Sequence, residues 1–150
     1  MLIFALFFTL LISSTYGKCP NGTIPTFSDS SLCYSFQSHR SVYLDAEETC
    51  QKLGGHLTSI HNMFDNSFLA NQALLKFSLN NDFWFGANNH ITSGNWSWMD
   101  QTIFDFSDWD KNQPQNSFGT NCGAMIIQGG YWISDDCFKL KPFVCEIFSP

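Results

Sequence analysis

The sequence predicts an α+β domain, and three observations predict it. Apolar residues recur at helical spacing in the first half of the chain, short aromatic runs bounded by turn residues fill the second half, and six cysteines are spread along both. Taken in order, the chain opens on residues Met1 to Gly17, which carry no charged side chain. Leu2 to Leu11 is almost wholly apolar, and Ser13, Ser14, Thr15 and Gly17 follow. A short apolar core ending in small residues reads as a signal peptide, with cleavage expected before Lys18. The run is too short to span a bilayer, and no later stretch approaches eighteen apolar residues, so no stable membrane insertion is expected after cleavage. Residues 18–150 then form one domain.

All six cysteines lie beyond the leader and no CxxC occurs. An even count in an exported chain argues for three disulfides, although the spacing leaves fifteen pairings open.

The first half reads as helical. Ala46, Thr49, Cys50 and Leu53 share one face, Asp45, Glu47 and Glu48 come early and Lys52 late, and Gly54-Gly55 follows. This predicts a helix over 43–53 that suits its dipole and stops at the glycines. A short strand is expected near His56–Ile60, and a second helix over 63–77 with Phe64, Phe68 and Leu75 inward. In the second half, Asp82-Phe83-Trp84-Phe85-Gly86 reads as a strand. Ser93-Gly94-Asn95 is a turn, and Trp96 to Met99 the strand after it. Asp100 to Thr120 has little periodicity, and a loop that long inside a compact domain is usually functional. Strands resume at Cys122–Ile127, Tyr131–Ser134 and Pro142–Ile147, with Gln128-Gly129-Gly130 as a hairpin turn.

Composition narrows function. The net charge is −6 and the pI about 4.8, which disfavours nucleic acid and anionic lipid as partners. Aromatic residues make up 17% of the chain and charged ones only 13%, a balance that demands a packed core. There is no GxSxG, HExxH or catalytic-cysteine context, His56 and His61 are five apart, and His39 and His90 are isolated, so no enzyme is expected. The five tryptophans read as core. Two sequons, Asn21-Gly22-Thr23 and Asn95-Trp96-Ser97, are candidate glycosylation sites.

Ala46-Glu47-Glu48-Thr49-Cys50 through Leu53-Gly54-Gly55-His56-Leu57, then Trp84-Phe85-Gly86, Trp109, Gln113-Pro114-Gln115, the Trp132 to Cys137 spacing and Phe143-Val144-Cys145-Glu146 form an ordered set. That set resembles the C-type lectin-like domain over nearly all of Lys18–Pro150. The resemblance implies two helices on mainly antiparallel sheets with a long irregular ligand loop. It implies the disulfides Cys50–Cys145, Cys122–Cys137 and, as the extra N-terminal pair of the long form, Cys19–Cys33. It also implies a cis-Pro at Pro114.

In lectins of this family a calcium ion in the long loop holds both protein and sugar. The matching positions here are Gln113, compatible with the galactose-type motif, Gln115 in place of Asn or Asp, Thr120 in place of Glu, and Ile133-Ser134 in place of Asn-Asp. From Lys111 to Ser134 there is no Asp or Glu, and calcium draws most of its affinity from carboxylates. No metal or other cofactor is therefore expected. Asp135, Asp136, Asp100, Asp105, Asp108 and Asp110 read as solvated acids and turn formers. The expected function is that of a secreted, extracellular recognition module binding a glycan or glycoprotein. Its candidate ligand residues are Gln113, Pro114, Gln115, Asn116 and Asn121. The alternative is a calcium-independent domain that takes a protein or other non-sugar ligand through the same loop.

Overall fold

The computed structural model describes residues 18–92, 94–115 and 117–150, so the expected leader over 1–17 and the ligand candidate Asn116 lie outside the described residues. Ten elements follow in the order β1 (Ile24–Pro25), β2 (Leu32–Ser41), α1 (Tyr43–Lys52), β3 (Gly55–Leu57), α2 (Met63–Lys76), β4 (Asp82–Thr92), β5 (Asn95–Trp98), β6 (Cys122–Ile126), β7 (Trp132–Asp135) and β8 (Lys141–Phe148). The strands join in the order β1-β2-β8-β4-β6-β7, with β3 on β8 and β5 on β4. Every pair is antiparallel except β4 with β8, which meet in parallel at Trp84 and Phe143.

Strand β4 explains why the aromatic run at its start has no polar alternation. Successive side chains point to opposite faces of a sheet. Phe83, Phe85 and Ala87 enter a cluster with Leu69, Trp98, Met125 and Trp132 on the α2 side. Trp84 points the other way, into a cluster with Tyr43, Cys50, Leu57 and Phe143 under α1. A strand buried on both faces reads as a continuous apolar run. Each buried ring stabilises by roughly 1.5–3 kcal/mol.

The helices end where local chemistry directs. Asn62 caps α2 by accepting from the Asp65 amide at 2.9 Å. Helix α1 has no side-chain cap; instead the Tyr43 amide donates to the Cys137 carbonyl at 3.0 Å, which satisfies one of its orphan donors. Gly54, at positive φ, turns the chain from α1 into β3, and Gly55 lets β3 lie close against β8: a Cβ there would lie 1.9 Å from the Glu146 carbonyl oxygen.

Three expectations need correction. The first half is not simply helical, because β2 is a ten-residue strand paired along β8. On α2, Phe64 and Leu75 face solvent, and the buried stripe is Asp65, Asn66, Leu69, Ala70 and Ala73. On α1, Leu53 is 45% exposed, and Tyr43 and Glu47 take the buried face with Ala46 and Cys50. Glu47 is held there by accepting from the Leu57 amide at 2.8 Å and lying 2.6 Å from His56 Nδ1. It ties the helix to β3.

The three disulfides join Cys19 to Cys33, Cys50 to Cys145 and Cys122 to Cys137, the pairs that the resemblance implies. No helix of the described residues is long and apolar enough to cross a membrane.

Candidate functional site in the long loop

Between β5 and β6 the described residues form neither helix nor ladder, apart from one bridge between Trp109 and Trp132. Rings and acids hold the first half of this loop on the body. Phe104 stacks on Trp98 at 4.7 Å, Phe106 and Trp109 meet Trp132 at 5.6 Å, and Trp96 meets Trp109 at 4.6 Å. Trp84, Trp98 and Trp132 are fully buried, while Trp96 and Trp109 are partly so.

The loop acids do more than solvate. Asp100 accepts from the Ser59 hydroxyl, and Asp105 lies 2.7 Å from His61 Nδ1, a hydrogen bond that holds its carboxyl below the usual range. Asp108 accepts from Asn66 Nδ2 at 3.0 Å; burial pushes its carboxyl up, and the Asn66 bond partly opposes that. Asn66 in turn accepts from the Trp132 indole at 2.7 Å and donates to Gly130 O at 3.1 Å. One buried amide on α2 thus joins the loop, the hairpin turn and the central tryptophan.

In the second half of the loop the Gln113–Pro114 bond is cis. Gln113 Oε1 accepts from the Ser134 amide at 3.0 Å and the Ser134 hydroxyl at 3.2 Å. The same hydroxyl accepts from the Gln115 amide at 2.7 Å. Ser134 is 5% exposed, so strand β7 grips the loop through a buried hydroxyl.

Beyond this clasp lies a cavity of about 510 Å³ lined by Asn89, Gln115, Ser117, Phe118 and Asn121, among others. The Asn89 amide donates to Asn121 O at 3.1 Å, while its side-chain Oδ1 is buried without a donor among the described residues. Phe118 is fully exposed at the rim. A second, apolar cavity of about 260 Å³ adjoins it, sharing Phe118, Gly119 and Asn121 and adding Val42, Leu44 and Phe138. Of the candidate ligand residues, the structure brings Gln115 and Asn121 together on the polar cavity. It turns Gln113 onto Ser134, and Pro114 lines neither cavity. Asn89, Ser117 and Phe118 were not anticipated. The signal for Asn89 was the Asn88-Asn89 pair that ends the apolar run of β4; for Phe118 it was a lone ring in a polar loop.

The donor set does not fit a calcium ion. Gln113 Oε1 is committed to two donors, Gln115 offers an amide, and no carboxylate lies between Lys111 and Ser134. Asp135 is engaged elsewhere, 2.8 Å from both Lys139 Nζ and Lys141 Nζ. Burial alone would raise its carboxyl, but the hydrogen bonds from those lysines prevail and hold it below the usual range. Among the described residues the compact group of metal-capable donors is His90, Cys122 and Cys137, and those two sulfurs are joined in a disulfide.

The family described as the lectin C-type domain matches residues 39–147. The chain belongs to that family. It is 28% identical over 129 residues to the galactose-specific lectin nattectin of Thalassophryne nattereri, covering 85% of this chain and 79% of the relative. It is 31% identical over 150 residues to the C-type lectin BML-1 of Bungarus multicinctus, covering 96% and 92%. It spans only 9% of human C-type mannose receptor 2, with 32% identity over 139 residues. Among solved structures, the carbohydrate-recognition domain of cow CD23, determined in the presence of a GlcNAc2Man3 oligosaccharide, superposes with a TM-score of 0.76 at 28% identity, covering 89% of this chain and 98% of that one. C-type lectin domains are recognition modules rather than enzymes, and three disulfides fit an extracellular protein.

Proposed function

We propose that this chain is a secreted, calcium-independent glycan-binding module whose long loop presents the polar cavity to a sugar. The observation that carries this reading is the cavity lined by Asn89, Gln115, Ser117 and Asn121 beside the exposed Phe118 ring. Amides and a hydroxyl supply paired donors and acceptors for sugar hydroxyls, and a ring face suits the apolar side of a pyranose. Asn89 Oδ1, buried without a donor, favours an incoming hydroxyl. The Gln113–Ser134–Gln115 clasp supplies by protein hydrogen bonds the loop order that a bound ion would otherwise give. Galactose in the name of nattectin supports a hexose as the first ligand to try.

A glycan array read with and without EDTA tests this. The expected outcome is glycan binding that survives EDTA and falls about tenfold in Asn121→Ala, the loss of roughly one well-made hydrogen-bond pair. Binding abolished by EDTA would overturn the calcium-independent reading. An empty array would favour the second reading, a protein ligand seated on the apolar cavity beside Phe118 and Phe138, both of which are largely exposed.

A further inference from the structure

The Cys122–Cys137 bridge differs from the other two in what touches its sulfurs. His90 brings Nε2 to 3.1 Å from Cys122 Sγ and 3.0 Å from Cys137 Sγ. Neither sulfur carries a hydrogen while the two are joined, so the ring nitrogen is the donor in both contacts. Among the described residues no histidine bonds a sulfur of Cys19–Cys33 or Cys50–Cys145. Strand register brings the ring there. Asn88 on β4 is paired with Cys122 on β6, and Asn88 Oδ1 accepts from the His90 amide at 3.2 Å.

A disulfide sulfur is a weak acceptor, whereas a thiolate takes a strong, charge-assisted hydrogen bond. A donor fixed beside the bridge therefore gains most when the S–S bond breaks and one sulfur leaves with the electron pair. A better-stabilised leaving thiolate leaves faster, and a neighbouring histidine stabilises a thiolate in this way.

The two sulfurs also differ in access. Cys122 is 0% exposed and Cys137 is 9% exposed. Cys137 and His90 both line the apolar cavity of about 260 Å³ bounded by Leu44, Phe118 and Phe138, and Cys122 does not. An incoming sulfur thus reaches Cys137, and Cys122 is the leaving group, with the His90 ring against it. Cys50 and Cys145 are both 0% exposed, so that bridge offers no comparable entry.

We propose that Cys137 is a thiolation site, at which a low-molecular-weight thiol opens the Cys122–Cys137 bridge with His90 assisting. The thiolate of the incoming molecule attacks Cys137 Sγ. The new S–S bond forms to Cys137, the bond to Cys122 breaks, and its electron pair goes to Cys122 Sγ, which takes a proton from His90 Nε2. Solvent returns that proton to the ring. A second molecule of the same thiol then releases Cys137 as a thiol and becomes the other half of a disulfide with the first, so both cysteines end reduced and the two thiols oxidised. The β6–β7 ladder and the other two bridges remain, and the end of the long loop loses its covalent tie to the segment after β7. The proposal is independent of the glycan reading.

The test is brief exposure of the disulfide-intact protein to 2-mercaptoethanol under native conditions, quenching with N-ethylmaleimide, and peptide mapping by mass spectrometry. The expected result is that Cys122–Cys137 opens about tenfold faster than Cys50–Cys145, with mercaptoethanol on Cys137 and maleimide on Cys122. His90→Leu keeps the bulk of the exposed ring without its N–H. It should slow this opening about tenfold and leave Cys19–Cys33 at the parent rate, with a thermal melt showing that the variant is folded. Phe138→Ala, at the exposed cavity wall, should speed the opening. An adduct on Cys122, a His90→Leu variant that opens as fast as the parent, or a Phe138→Ala variant with an unchanged rate overturns the proposal.

Discussion

Glu146 follows Cys145 on β8, and its carboxyl meets Asp100, Asp65 and Asp29 across an acidic cleft. Burial is the larger cause of its rise to about 8, and those charges add to it, partly opposed by Thr58, whose hydroxyl lies 3.4 Å away. The ordinary value is 4.5, so between about pH 4.5 and 8 the native state holds a proton that the unfolded chain has released. Stability from this group is complete below about pH 4.5 and is lost as pH rises through about 8. Glu146→Gln removes that loss. The expected outcome is a Tm matching the parent near pH 5 and roughly 3–8 °C above it at pH 8.5, read by calorimetry. A difference that is flat with pH would show that Glu146 does not titrate in this range.

The long loop stands or falls with the clasp that strand β7 provides. Ser134 on β7 is, among the described residues, the side chain that engages both Gln113 and Gln115. Truncating it leaves the partly buried Gln113 oxygen with one donor fewer and the Gln115 amide without its hydroxyl acceptor. Ser134→Ala should therefore cost about 1–2 kcal/mol in urea unfolding, and glycan affinity should fall even though Ser134 does not line the cavity. Ser134→Thr, which keeps the hydroxyl, should recover most of both. A Ser134→Ala variant with full affinity would mean that the polar cavity keeps its shape without the clasp. The first half of the loop is anchored independently, by Phe104, Phe106 and Trp109 on the buried tryptophans.

Across the whole molecule, Cys50–Cys145 closes a separation of 95 residues, against 14 and 15 for the other two bridges. In the chain-entropy model a loop near 100 residues contributes roughly 4–5 kcal/mol and one of 15 about 3, against a total stability of only about 5–15 kcal/mol for a domain. Replacing Cys50 and Cys145 together by Ala should abolish secretion of folded protein. Replacing Cys19 and Cys33, which tie the segment before β1 to strand β2, should leave a folded domain of lower Tm. Yield of soluble protein and a thermal melt check both; normal yield without Cys50 and Cys145 would count against the dominant role of that bridge.

Much of the architecture was legible because its signals are local. Helix α1 showed its charge order and its Gly54-Gly55 stop, and the turn glycines 129 and 130, both at positive φ, marked the hairpin between β6 and β7. Strand β2 was missed because its apolar residues are few, its end reads Ser-His-Arg-Ser, and its partner β8 begins a hundred residues later. Phe64 and Leu75 misled because hydrophobicity ranks residues without knowing which face a neighbour covers; the smaller Ala70 and Ala73 hold the stripe that packs. By itself, the sequence determined the α+β class, the ordered family motifs and the lack of acid between Lys111 and Ser134. Only the tertiary structure decided that Ser134 ties Gln113 to Gln115, that Asn89 joins Asn121 at one cavity, and that Asp29, Asp65, Asp100 and Glu146 face a common cleft. These groups are far apart in sequence, and their meeting depends on strand register and loop closure, which no local pattern encodes.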